Sequence, residues 1–334
     1  MTLGWGIIGI GRISDDQMAP SLNKGTNTKL VAVCSRSMDR AKTFAAKHGG
    51  RAYDSLDKML KDPELDVLYV CTPNNLHAQN TIQAAEAGKH VFCEKPMTLT
   101  LEDAERMIKA CEKNKVKLGV NYQHRLNPPH VEARRYIQSG TVGKIILLKA
   151  QLCGITTWKG WHRDPSMTGA GTLMGHGIHC VDQFRHFLDS EVTEVRAMTD
   201  EELPDRPVDE MFFAILKFAT GAHGMVVTGI HVAPWDNDVI LYSSKARIIC
   251  KRTMGRAFND LGELFVDSDS VHVKMTFPTA DFNLDNKIRA VESFTKSIEE
   301  NTEPFSSGYN GMQMVKITSA ILESSRGGKA VKIK

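Results

Sequence analysis

Trp5-Gly6-Ile7-Ile8-Gly9-Ile10-Gly11-Arg12-Ile13-Ser14 is an apolar run that breaks into a glycine turn and resumes as helix-forming sequence. The spacing Gly9-x-Gly11-x-x-Ser14 is the dinucleotide fingerprint with a small serine in its third place. The first glycine permits a tight turn and the second lets the backbone approach a pyrophosphate. The third place needs a small residue where helix packs on strand. The backbone from Gly9 through Ile10, Gly11, Arg12 and Ile13 is then the expected phosphate seat at a helix start. Glycine turns of this kind also occur in ordinary loops. What favours the nucleotide reading is position: this is the first strand of the chain, and a second follows at the right distance.

That second strand, 29–34, ends in Ser35-Arg36. An Asp or Glu at this point holds the ribose 2′-hydroxyl of NAD, whereas an Arg accommodates the 2′-phosphate of NADP. Ser35, Arg36 and Arg40, with no acid directly at the strand end, point to NADP in preference to NAD; the bland alternative is a pair of exposed helix-start charges. Further strands at 66–71, 90–93 and 117–121 alternate with helices at 77–88 and 101–115, which predicts a doubly wound parallel sheet. Its strands end in polar residues on one edge: Gly9 to Arg12, Ser35-Arg36, Thr72-Pro73-Asn74-Asn75-Leu76-His77, and Glu94-Lys95. Ligands of open parallel sheets bind at that carboxyl edge. Within Val91-Phe92-Cys93-Glu94-Lys95-Pro96 an apolar strand runs into a lysine. Partial desolvation there lowers an amine pKa towards neutrality, which suits an acid or base. Pro96 makes the Lys95–Pro96 bond a candidate for the cis form. Taken alone, a Glu-Lys pair after a strand is more often a solvated loop pair; its company here changes the odds.

The 334 residues suit two domains, and 42% hydrophobic with 24% charged residues is the balance of a chain with real cores. A net charge of +3, without basic tails, gives no support to a nucleic-acid or membrane partner. The seven cysteines are scattered, odd in number and free of C-x-x-C, so neither a disulfide framework nor a Cys-rich zinc site is expected. No signal core and no bilayer-length apolar window is seen, and a cytoplasmic setting follows.

After Tyr122 the texture changes, which sets a dinucleotide-binding domain at 1–122 and a substrate-binding and oligomerisation α+β domain at 123–334. Strands are expected at 145–152, 211–218, 223–232, 239–242, 247–250 and 271–275, forming a largely antiparallel sheet. Helices are expected at 130–139, 177–188, 284–300 and 309–325. The loop Trp158-Lys159-Gly160-Trp161-His162-Arg163-Asp164-Pro165 offers a sugar-like ligand stacking faces and hydroxyl partners. It leads to Gly175-His176-Gly177-Ile178-His179-Cys180-Val181-Asp182, where His176, His179 and Asp182 share a helical face. Three readings compete for them: a metal site, a braced helix start, or a catalytic histidine supported by a carboxylate. The third is favoured for His179.

Gly9-Ile10-Gly11-Arg12, Thr72-Pro73-Asn74-x-x-His77, Glu94-Lys95-Pro96 and the stretch Gly169 to His179 together resemble the Gfo/Idh/MocA oxidoreductases. That is the group of glucose-fructose oxidoreductase, inositol dehydrogenase and dimeric dihydrodiol dehydrogenase, and the likeness runs nearly the length of the chain. The resemblance implies a Rossmann domain joined to a domain with a large open antiparallel sheet that makes homodimers or homotetramers. It implies hydride transfer between nicotinamide C4 and a hydroxyl or keto carbon of a sugar, inositol or related diol. Lys95 matches the family's catalytic lysine and His179 its catalytic histidine. Thr72, Asn74, His77, Glu94 and Asn121 join the cofactor site, and Arg125, Trp161, Arg163, His176, His179 and Asp182 the substrate site, with no metal. The family's usual Asp four residues before the histidine is here Gly175, so either His176 takes over its contact or Lys95 and His179 carry more of the chemistry. Rival readings are an NAD-dependent glycosidase or lyase working through transient oxidation, and a non-catalytic NADP sensor.

Overall fold

A computed structural model describes residues 2–200, 205–233, 237–255, 260–279 and 281–333. The chain divides into two compact units, one made of Met1–Gln123 with Asn283–Val315 and the other of His124–Phe282 with Lys316–Lys334.

The first unit is built on six parallel strands: β1 (Leu3–Ile8), β2 (Thr28–Cys34), β3 (Arg51–Tyr53), β4 (Val67–Val70), β5 (His90–Cys93) and β6 (Leu118–Val120). Their spatial order is β3-β2-β1-β4-β5-β6. The order reverses at β1, which is flanked by β2 and β4, and this places a crevice at the carboxyl ends of β1 and β4. Trp5 is fully buried, with the rings of Phe92 and Phe294 each 5.9 Å away. Phe294 comes from the helix Phe282–Glu299, whose Lys287, Val291 and Phe294 recur at helical spacing and are all buried. The segment 283–315, assigned by sequence to the second domain, therefore packs in the first unit. The reason is aromatic burial: Phe294 stacks on Phe92 at 4.9 Å.

The second unit carries nine strands: β7 (Ile145–Gly154), β8 (Val192–Thr199), β9 (Met211–Phe218), β10 (His223–Ile230), β11 (Val239–Ser243), β12 (Ala246–Lys251), β13 (Asp260–Ser268), β14 (His272–Pro278) and β15 (Val331–Lys332). They lie in the order β14-β13-β12-β11-β7-β10-β9-β8-β15, antiparallel except for the β7–β10 pair. Along β9, Phe212, Ala214, Leu216 and Phe218 face the core, in the two-residue period of a sheet with one covered face. Phe213 and Ile215 stay exposed on the other face, opposite Met198 and Met225 respectively. The helix Ile178–Leu188 covers the inner face, with Phe184 lying against the space above Gly224.

Sequence reading missed β3, β8, β13 and β15. The ladders of β8 and β13 each carry a register shift, at 192/194 and at 260/263, which interrupts the alternation that marks a strand. β3 and β15 are edge strands of three and two residues. All seven cysteines are free thiols. Among the described residues no helix is long and apolar enough to cross a membrane.

Candidate active site

The glycine turn after β1 is built for close approach. Gly9 has φ +98°, and a Cβ there would stand 2.2 Å from the Cys71 carbonyl oxygen, so only glycine fits. A Cβ at Gly11 would meet nothing within 4 Å, which leaves its face open. Ser14 closes the turn from inside: its buried Oγ accepts from Gly11 N–H at 2.8 Å and lies 2.8 Å from the Gly9 and Gly11 carbonyl oxygens. A cavity of about 590 Å³ adjoins the turn; Arg12, Arg40 and Lys47 line it together with Asp15, Asp16 and Asp39, and Lys47 is paired with Asp15. Arg40 donates to the Ile10 carbonyl at 2.8 Å, and Arg36 is exposed at the end of β2. Ile13 is half-buried beside Ser14, and Ser35 is half-buried at the strand end, with its hydroxyl accepting from Ser37 N–H. The open glycine face leaves room for the close backbone approach of a dinucleotide's pyrophosphate.

At the ends of β4 and β5 the expected residues gather around one carboxylate. Glu94 is buried and accepts from the Lys287 ammonium at 2.7 Å, from Asn121 Nδ2 at 2.8 Å, and from the Tyr69 hydroxyl. Burial pushes the Glu94 carboxyl up, but Lys287 and the hydrogen-bond donors outweigh it and hold the group below the usual carboxylate range. Lys95 follows, half-buried, with a cis bond to Pro96. Burial lowers its amine to about 8; Lys287 pushes the same way, and the attraction of Glu94 opposes both. His77 is buried with its ring nitrogens 2.8 Å from the Pro96 carbonyl and 2.9 Å from the Thr72 carbonyl, so it ties the two strand ends together. Thr72 Oγ1 accepts from Asn80, and Asn74 is buried in the same turn. His77 and Asn121 thus brace this edge from within. Lys287 and Tyr69 were missed by sequence. The available signal was a lysine in register with Val291 and Phe294 on an apolar helix face.

In the second unit, Leu173–Gly177 forms a π-turn that runs into the helix Ile178–Leu188. Such π-turns are frequent at functional sites. His176 is half-buried, its ring 6.1 Å from that of Trp158. His179 is 7% exposed and meets His124 edge-on, ring centres 4.7 Å apart. Arg125 and Asp182 are joined in a buried two-point pair, Nε to Oδ2 at 2.8 Å and Nη2 to Oδ1 at 2.6 Å. Arg185 approaches Asp182 at 3.7 Å and pairs through two bonds with Glu191. Asp182 is therefore committed to arginines, and among the described residues no three metal-ligating side chains converge. Trp161 stacks on His162 at 3.8 Å, and exposed Arg163 donates to the Asp205 carbonyl. Gly175 has a spatial reason: a Cβ there would stand 2.9 Å from the Trp158 ring. The indole occupies the room a side chain at 175 would need.

An open glycine turn at the switch point of a six-stranded parallel sheet is the geometry of a dinucleotide-binding domain. Residues 3–122 match the family model for the oxidoreductase family with an NAD-binding Rossmann fold, and residues 130–249 match the GFO/IDH/MocA C-terminal domain. The chain is 30% identical to the trans-1,2-dihydrobenzene-1,2-diol dehydrogenase of Danio rerio, over 74% of each protein. It is 25% identical to the 1,5-anhydro-D-fructose reductase of Ensifer adhaerens, over 98% of each. The aldose-aldose oxidoreductase from Caulobacter crescentus complexed with glycerol superposes with a TM-score of 0.90 over 100% of both chains, at 25% identity. The chain belongs to the Gfo/Idh/MocA oxidoreductase family.

Proposed function

We propose that this oxidoreductase moves a hydride to or from a carbinol carbon of a sugar, inositol or related cyclic diol, with Lys95 and His179 as its acid–base pair. The observation that carries the reading is Lys95: a half-buried amine at the carboxyl end of β5, lowered to about 8 by burial. NADP or NAD, when bound, supplies the nicotinamide that takes up or gives up the hydride. Gly9 to Ile13 would hold the pyrophosphate, and Ser35, Arg36 and Arg40 the adenosine ribose, with the two guanidiniums favouring NADP. In oxidation, neutral Lys95 or His179 takes the hydroxyl proton. In reduction, the same group returns it to the developing alkoxide, and the ammonium form of Lys95 stabilises that charge. Trp161, Arg163 and His176 would face the substrate, while Arg125 and Asp182, locked to each other, would hold the helix that carries His179.

The relatives support the substrate class, since they include a dihydrodiol dehydrogenase and an anhydrofructose reductase. Absorbance at 340 nm with sugars, inositols, cyclic diols and ketosugars, using each cofactor, tests the proposal. A steady change with at least one cyclic polyol is expected. Product release without net change would replace it with a glycosidase or lyase, and binding without turnover would replace it with a sensor. The exposed outer face of the nine-stranded sheet, with Met198, Phe213, Ile215 and Met225, would be the surface of a homodimer or homotetramer. Ile215→Lys should lower the mass seen in sedimentation.

A further inference from the structure

The helix start that presents His176 and His179 is held by a carboxylate from elsewhere in the chain. Asp209 lies just before β9 and is 4% exposed. One of its oxygens accepts from Gly171 N–H; the other accepts from the Thr172 hydroxyl and from Leu173 N–H, each at 2.9 Å. The Asp209 carbonyl also accepts from Thr172 N–H at 2.9 Å. The fit leaves no slack, because a Cβ at Gly171 would stand 1.8 Å from that carbonyl oxygen. The first turn of a helix has backbone donors with no partner within the helix, and a local Ser, Thr, Asp or Asn usually satisfies one. Neither the π-turn nor the helix that follows has a side-chain cap of its own. The stem of Asp209 is fixed in turn, as Asp200 accepts from Glu210 N–H at 2.9 Å and from Met211 N–H at 3.0 Å.

We propose that Asp209 is a positioning residue for the reaction: by capping the Gly171–Leu173 turn from another part of the chain, it fixes where His176 and His179 stand. The proposal rests on the acid–base reading of His179. Asp209 itself would touch neither substrate nor cofactor. Small displacements of a reacting group are costly, and about 1 Å can remove about a hundredfold in rate. Asp209→Asn keeps the shape but, whichever way the amide turns, sets its NH₂ against a backbone donor, Gly171 N–H or Leu173 N–H, so the turn loses part of its hold.

The test uses the full-length protein isotopically labelled at the histidine Cε1 positions, with the His179 signal identified by its loss in His179→Gln. In Asp209→Asn the His179 signal and its pH titration are expected to move. The signal of His48, bonded to Asp15 in the other unit, should stay. With the substrate found by the 340 nm screen, kcat should fall by about ten- to a hundredfold, and the KM for the cofactor should not change. Thr172→Val, which deletes one donor, should move the same signal by less and serves if Asp209→Asn does not fold. Folded variants with an unmoved His179 signal and wild-type kcat would overturn the proposal. Wild-type turnover in His179→Gln would sink the acid–base reading instead, and would leave a shifted His179 signal in Asp209→Asn standing.

Discussion

Two charged clusters, one in each unit, are organised in opposite ways. In the second unit Arg125 and Asp182 form a matched buried pair, and buried Arg185 pairs with the partly exposed Glu191, each joined by two hydrogen bonds. In the first, one carboxylate, Glu94, stands near two ammonium groups, those of Lys287 and Lys95. A balanced set of buried ions specifies structure and leaves nothing to titrate near neutral pH. An unbalanced set lowers the pKa of its surplus cation, because burial and the like charge both disfavour the ammonium form. Buried ion pairing thus acts as scaffold in one cluster, and in the other it leaves an amine suited to the proton transfer proposed for Lys95.

The contrast is broken most strongly by removing one partner from each cluster. Arg125→Met leaves Asp182 buried without its two-point partner and should cost about 3–5 kcal/mol in denaturant unfolding. The pH dependence of any residual activity should keep its shape. Lys287→Met should cost a comparable amount, and it should also move the pH profile. With the competing cation gone, Glu94 attracts Lys95 alone, and the amine pKa rises above about 8. If both variants lose stability and neither shifts the profile, the two clusters do not differ in kind. A smaller effect separates cofactor choice from scaffold. Arg36→Ala should weaken NADP binding about tenfold, the size of one charge-assisted hydrogen bond, and leave NAD binding unchanged in nicotinamide fluorescence titrations. Gly175→Asp, whose Cβ would crowd the Trp158 ring, should cost about 1–3 kcal/mol in thermal unfolding. Adding Trp158→Ala should recover most of that loss.

The first unit was legible because its signals are local. Gly9, Gly11 and Ser14 lie within one turn, and each parallel strand except β3 is a short apolar run with polar residues at its end. Lys95 stood out for the same reason. Lys287 did not, since its ion pair to Glu94 joins positions 193 residues apart. The second unit hid more. Its register shifts blurred β8 and β13, and the cap on the His179 helix comes from Asp209, 36 to 38 residues downstream of its donors. Arg125 and Asp182 looked like ligand-facing groups in sequence, because a buried pair and an open pair contain the same residues. Only the fold shows that each is turned to the other.

If the Lys95 amine handles the substrate proton, its titration governs the pH dependence of kcat/KM in the oxidation direction. Below about pH 8 the amine is protonated and cannot accept a proton, so the rate should rise with pH through that value. In Lys95→Ala the rise should vanish, together with about a hundredfold or more of the rate. The same ascending limb with near-normal turnover in Lys95→Ala would contradict the account.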